Sequence, residues 1–130
     1  MDELELNSGV PSHQASKDPL ETLSSLVEEL GSTKVVESIT STYLDLLDER
    51  VESVRQAWPD PLEVANAAHL LRGASAIVGA TDLVAATAEI ESAGRSGNLV
   101  NEALLDRLDH LASCTADMLE RALEQLGDPP

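Results

Sequence analysis

The sequence predicts an all-α fold: an antiparallel up-down-up-down four-helix bundle with a short additional helix at its N-terminal end. Three observations point there. The chain of 130 residues is 42% hydrophobic but holds no Phe, one Trp and one Tyr, so Leu, Ala and Val must build the core. Leu and Ala are strong helix formers, whereas strands favour β-branched and aromatic residues. Apolar residues recur at steps of three and four along most of the chain. The breaks between these runs are short, which makes successive helices antiparallel neighbours. The length suits one domain with a core large enough to fold alone.

Residues 1–17 mix acids with Ser, Asn, Gly and Pro without a sustained period, and read as a flexible acidic tail. The domain begins at Asp18-Pro19-Leu20-Glu21, where Asp suits the N-cap, Pro the first helical position and Glu the return leg of a capping box. Leu20, Leu23, Leu26, Val27 and Leu30 then recur at helical spacing up to a stop at Gly31. A second helix follows Ser32 through Val35, Val36, Ile39, Tyr43, Leu46, Leu47, Val51 and Val54. It ends near Ala57-Trp58, because Pro59 and Pro61 cannot continue it. Asp60-Pro61-Leu62-Glu63 repeats the cap pattern and opens a third helix, expected over 61–80. A fourth is expected from Thr81 or Asp82 to Ser96, closed by Gly97. A fifth opens near Asn98 or Asn101, carries Leu104, Leu105, Leu108, Leu111, Met118, Ala122 and Leu126, and stops at Gly127. Residues 128–130 form a C-terminal tail, so the domain spans 18–127.

Charge excludes several function classes. The chain has 24 acids and 8 bases, a formal net charge of −16. Phosphate backbones need clustered Lys and Arg, so nucleic acid is not the expected partner, and anionic lipid is disfavoured for the same reason. No run approaches the ~20 apolar residues of a membrane span. The N-terminus lacks the basic and apolar regions of a secretory signal, which makes a cytoplasmic location the expectation. The single cysteine, Cys114, can form neither an internal disulfide nor a zinc site by itself. Phosphate-binding Gly-rich loops and metal-ligand motifs are absent from the sequence.

The third helix is the unusual one. On a helical wheel Ala65, Ala68, Leu71, Ser75 and Val78 share the face expected in the core. His69, Arg72, Gly73 and Ala76 share another, at i, i+3, i+4 and i+7. That second face carries an imidazole in mid-helix, a cation one turn away and two small residues where a solvent face normally carries Glu, Lys or Gln. Glycine inside a helix costs about 1 kcal/mol against Ala, which suggests that something approaches the backbone closely. From Pro61 to Thr81 the only charges are Glu63 and Arg72, so the excess of acid lies wholly outside this helix.

Each of these residues also has a plainer reading. His69 suits a surface or packing histidine, Gly73 suits close helix–helix contact, and Arg72 suits a solvated charge. Elsewhere, His13 falls in the tail and His110 on the exposed side of the last helix. Cys114 is expected to be a small buried apolar residue. Trp58 and Tyr43 suit interhelix packing, and the acidic runs suit solvated faces.

The stretch His69-Leu70-Leu71-Arg72-Gly73-Ala74-Ser75, with Gly79 following, resembles the histidine phosphotransfer (HPt) domains of multistep phosphorelays. Their pattern is His-x-Leu-Lys/Arg-Gly-Ser/Ala-Ser/Ala followed shortly by Gly. Arg72 stands here in place of the commoner Lys and keeps the charge. On the next helix the family often places an acid or amide and a base one turn later, and Glu91 and Arg95 fill those positions. The resemblance covers roughly residues 18–126. It implies a phosphoryl carrier whose exposed His69 takes the group from a receiver-domain aspartate, or a partner kinase, and passes it to another receiver. Arg72 is then the counter-charge, Gly73 and Ala76 permit docking, Arg95 serves the phosphoryl or the docking, and Glu91 orients the imidazole. No cofactor is expected in the chain itself, since Mg²⁺ belongs to the receiver. The implied partners are receiver domains of response regulators or of hybrid histidine kinases, met by a monomer. Without an ATP-binding segment, autophosphorylation is not expected. The starting Met and the Asp128-Pro129-Pro130 end fit a stand-alone protein, although the N-terminal HPt domain of a larger kinase would read alike. The alternative is a helical adaptor, or a degenerate HPt domain that binds receivers without transfer.

Overall fold

A computed structural model of the chain describes residues 19–127. The tail, His13, the Asp18 cap and the Asp128-Pro129-Pro130 end lie outside the described residues. Those described form five helices and no strand: α1 (Pro19–Leu30), α2 (Thr33–Ala57), α3 (Pro61–Ile77), α4 (Thr81–Arg95) and α5 (Glu102–Gly127). The four long helices pack in a closed ring, α2 on α3, α3 on α4, α4 on α5 and α5 on α2, while α1 lies against α2 and α5.

Local chemistry sets the ends. Ser32 accepts the Val35 N–H at 3.2 Å and caps α2. Asp60 caps α3 by accepting from the N–H groups of Leu62 and Glu63 at 3.1 and 3.2 Å, with Pro61 at the first helical position. α5 opens at the later of the two expected places, where the Asn101 side chain accepts from the Ala103 N–H at 2.8 Å.

α3 stops three residues before its expected end at 80. Gly79, at φ +73°, turns the chain out of the helix. The Gly79 N–H then reaches the Ala76 carbonyl at 3.2 Å and the Ala80 N–H reaches the Ser75 carbonyl at 2.9 Å, which together satisfy the last carbonyls. A side chain at Gly79 would also collide with Thr22 of α1.

The core is built of Leu, Val and Ala, with Leu23, Leu47, Leu71, Leu83, Ile90, Leu105, Leu108 and Leu119 among its largest fully buried members. Ala65, Ala68, Leu71, Ser75 and Val78 all face it, as the wheel predicts. Four buried hydroxyls are hydrogen-bonded: Tyr43 and Ser75 share a bond of 2.8 Å, and Thr40 and Thr87 donate to carbonyls one turn back. Trp58 is partly buried and donates its indole N–H to the Val100 carbonyl at 2.9 Å, tying the α2–α3 turn to the α4–α5 connection. On the surface Arg55 of α2 grips Asp109 and Asp106 of α5, each at 2.7 Å. Bonds to Asp109 and then to Asp106 hold its guanidinium pKa above the usual value.

Two expectations for α5 need correction. Its buried positions are Leu105, Leu108, Ala112, Thr115, Leu119 and Ala122, alternating steps of three and four. Cys114 and Met118 each fall one position off that stripe. Cys114 is therefore exposed rather than buried, with its Sγ 3.7 Å from His110 Nε2, and Met118 is exposed where a core residue was expected.

α3 and α4 make the most extensive helix contact in the molecule. Small residues allow it. Gly94 of α4 faces the Pro61 carbonyl and Ala65 of α3 so closely that an added Cβ would strike the carbonyl oxygen and lie 2.9 Å from the Ala65 Cβ. This close approach brings the α4 side chains across to the unusual face of α3.

Candidate functional site

His69 stands on α3 with its side chain 55% exposed. From α4, Glu91 reaches it: His69 Nδ1 lies 3.0 Å from Glu91 Oε2. Arg72 Nε donates to Glu91 Oε1 at 2.9 Å, and Arg95 Nε donates to Glu91 Oε2 at 3.3 Å. One carboxylate, only 14% exposed, thus gathers an imidazole and two guanidinium groups from two helices. Partial burial pushes the Glu91 pKa up. The charges of Arg72 and His69, with the bonds from Arg72 and Arg95, outweigh that and hold it below the usual value.

The ionised carboxylate, nearer to Nδ1 than Arg72 Nη2 is, favours the tautomer protonated at Nδ1. It can only accept, so the proton between it and His69 sits on Nδ1. Arg72 Nη2 is also 3.2 Å from Nδ1, but a guanidinium has no acceptor, so this is a close contact rather than a hydrogen bond in that tautomer. Nε2 keeps its lone pair and has no hydrogen-bond partner among the described residues.

All six sequence-predicted site residues lie in this region. His69, Arg72, Glu91 and Arg95 are joined by the bonds above, and Gly73 and Ala76 are exposed on the same face of α3. The packing reading of Gly73 fails, because a Cβ built there meets nothing within 4 Å. No contact within the described chain requires glycine at that position.

Sequence reasoning missed two features. Leu70 and Ile77 are 71% and 56% exposed, giving His69 an apolar flank on the side of α2, where Ile39, Thr42 and Ala74 continue it. The helical wheel held the signal, since both apolar residues fall off the core face. Asn66, one turn before His69, accepts from Arg95 Nη1 at 3.3 Å. Its only sequence signal was a weak helix former in a helix interior.

The family model of the Hpt domain matches residues 38–128, more than half of the chain. The protein belongs to the Hpt domain family. A helical bundle is the family's fold, and its members are phosphocarrier modules of two-component signalling rather than kinases. The match takes in α3 and α4 with the whole His69 site, while α1 and the first turn of α2 precede it. Searches of curated proteins and of solved structures returned no significant match. Among the described residues of this Hpt domain, no helix is long and apolar enough to cross a membrane.

Proposed function

We propose that this Hpt domain carries a phosphoryl group on His69, accepted from a receiver-domain aspartate or a partner kinase and passed to a second receiver. The observation that carries the proposal is the exposed imidazole whose Nδ1 lies 3.0 Å from Glu91 Oε2 while Nε2 meets no partner among the described residues. A neutral imidazole nitrogen is a nucleophile at physiological pH. In the forward step the Nε2 lone pair forms a bond to phosphorus as the aspartyl oxygen–phosphorus bond breaks. The aspartate leaves as a carboxylate with the bonding pair. The ring is left cationic with its proton on Nδ1, and Glu91 balances that charge. Transfer onward reverses the same step on another receiver.

The remaining residues supply position and charge, which carry most of phosphoryl-transfer catalysis. Arg72 and Arg95 face the phosphoryl oxygens as counter-charges. Gly73 and Ala76 keep the backbone open to a docking partner, and Leu70 and Ile77 offer that partner an apolar contact. Mg²⁺ and the acidic pocket come with the receiver. The ring of four long helices with short connections supports an antiparallel up-down-up-down arrangement. We further propose that the domain comprises 18–127 and acts as a cytoplasmic monomer. The receivers belong to response regulators or hybrid kinases.

Incubation with a phosphorylated receiver tests the reading. The protein should take up acid-labile label, and His69→Gln should take up none. Equal label on the variant rejects His69 as the acceptor.

A further inference from the structure

Arg95 is held at two points. Its Nε donates to Glu91 Oε2 on its own helix, and its Nη1 donates to Asn66 Oδ1 on α3, both at 3.3 Å. Asn66 precedes His69 by one helical turn and Arg72 follows it by one, so Arg95 of α4, which meets α3 at Asn66, and Arg72 of α3 itself flank the imidazole on opposite sides along the helix axis. Asn66 is exposed and takes no part in the core, and asparagine is a poor residue for a helix interior. Its contact with Arg95 is the only side-chain bond it makes among the described residues.

We propose that Asn66 is a positioning residue for Arg95, holding that guanidinium beside His69 so that an incoming phosphoryl group meets a cation on each side. The inference rests on the phosphoryl-carrier reading and deepens it. A free arginine side chain must give up rotamer freedom each time it engages an anion. Anchored by Asn66 and Glu91, Arg95 has lost much of that freedom before the phosphoryl arrives. The side-chain type matters as well. A neutral amide oxygen anchors the guanidinium without cancelling its charge, whereas an aspartate there would hold it more firmly and neutralise it. With Asn66 in place, two guanidinium charges stand against the single carboxylate of Glu91, and the site stays net positive.

Phosphoramidate, a small phosphodonor, allows a test on the full chain without a cognate receiver. The Nε2 lone pair forms the bond to phosphorus, the donor's phosphorus–nitrogen bond breaks, ammonia leaves, and the Nδ1 proton remains beside Glu91. Phosphohistidine formation would be followed by ³¹P NMR for wild type, N66A, N66D, R95A and N66A/R95A, alongside urea titrations of each. Loss of one exposed charge-assisted contact should slow labelling about threefold in N66A, with an unchanged urea midpoint. N66D should be slower than wild type despite its stronger grip, and the double variant should match R95A alone. Labelling of N66A at the wild-type rate overturns the inference, as does a further loss when N66A is added to R95A. Those outcomes leave the carrier reading standing if wild type is labelled on His69. A wild type that takes no label on His69 removes both.

Discussion

Two surface clusters join helices across the bundle, and their charge ratios are opposite. Between α2 and α5, one arginine, Arg55, serves two carboxylates, Asp106 and Asp109. Between α3 and α4, one carboxylate, Glu91, serves Arg72, Arg95 and the His69 imidazole. The first leaves a surplus of negative charge on a chain that already carries −16. The second leaves a surplus of positive charge around an exposed nucleophile, with guanidinium N–H groups to spare. The same contact chemistry therefore makes a staple in one place and, on the proposed function, an anion-seeking site in the other. What separates them is which partner is in excess.

Breaking the positive surplus should have the largest effect. Arg72→Glu is expected to slow phosphoryl transfer about a hundredfold, the scale of losing a charge-stabilising donor. It should lower the urea-derived stability by only about 1 kcal/mol, the scale of a half-exposed ion pair, because the Arg72 side chain is 37% exposed. Equal losses of transfer and stability would mean that Arg72 is a staple like Arg55.

A pair of helical glycines sharpens the contrast. Gly94 is demanded by packing, so Gly94→Ala should destabilise by about 2 kcal/mol through overpacking against Pro61 and Ala65. Gly73 is demanded by nothing inside the chain, so Gly73→Ala should stabilise by up to about 1 kcal/mol through helix propensity while slowing transfer from a receiver. Urea titration and a transfer assay on both variants check this. A Gly73→Ala protein that is stabilised and transfers at the wild-type rate would leave the open backbone without a use.

Much of this contrast was legible in the sequence, and the rest was not for physical reasons. The face holding His69, Arg72, Gly73 and Ala76 follows from helical periodicity alone. The end of α3 was misplaced because a glycine that stops a helix and a glycine inside one look alike until the backbone angle is known, as Gly79 and Gly73 demonstrate. Cys114 and Met118 were misassigned because one position decides whether a residue on a long helix meets the core stripe. The sharing of Glu91 among three partners depends on how closely α3 approaches α4, and Gly94 sets that distance. The Glu91–Arg95 pair, one turn apart, is local and was legible, but nothing in the local pattern encodes the bonds that Glu91 makes to Arg72 or that Asn66 makes to Arg95.

The pH response should separate the clusters further. Glu91 has a folded pKa below its unfolded value of ~4.3, so its ionisation favours the folded state above that value and the contribution is lost as pH falls through the lowered folded value. Glu91→Gln should therefore be less stable than wild type by about 1 kcal/mol at pH 7, with the gap closing below pH ~4. A gap unchanged at acid pH would show that the carboxylate charge is not what joins the helices. The smallest effect is expected at the staple. Arg55→Ala should cost about 0.5 kcal/mol and leave the transfer rate unchanged, because Asp106 and Asp109 are exposed and far along the chain from the site. A slower transfer in this variant would blur the distinction between the two clusters.

On the proposed function, Glu91 holds the His69 proton on Nδ1 and so reserves Nε2 for the phosphoryl group. Labelling the protein with ¹⁵N in the imidazole, charging it with a phosphorylated receiver and reading the phosphorus–nitrogen coupling by NMR tests it directly. Phosphorus is expected on Nε2 of His69 and a proton on Nδ1. Phosphorus on Nδ1, or on any residue other than His69, would contradict it.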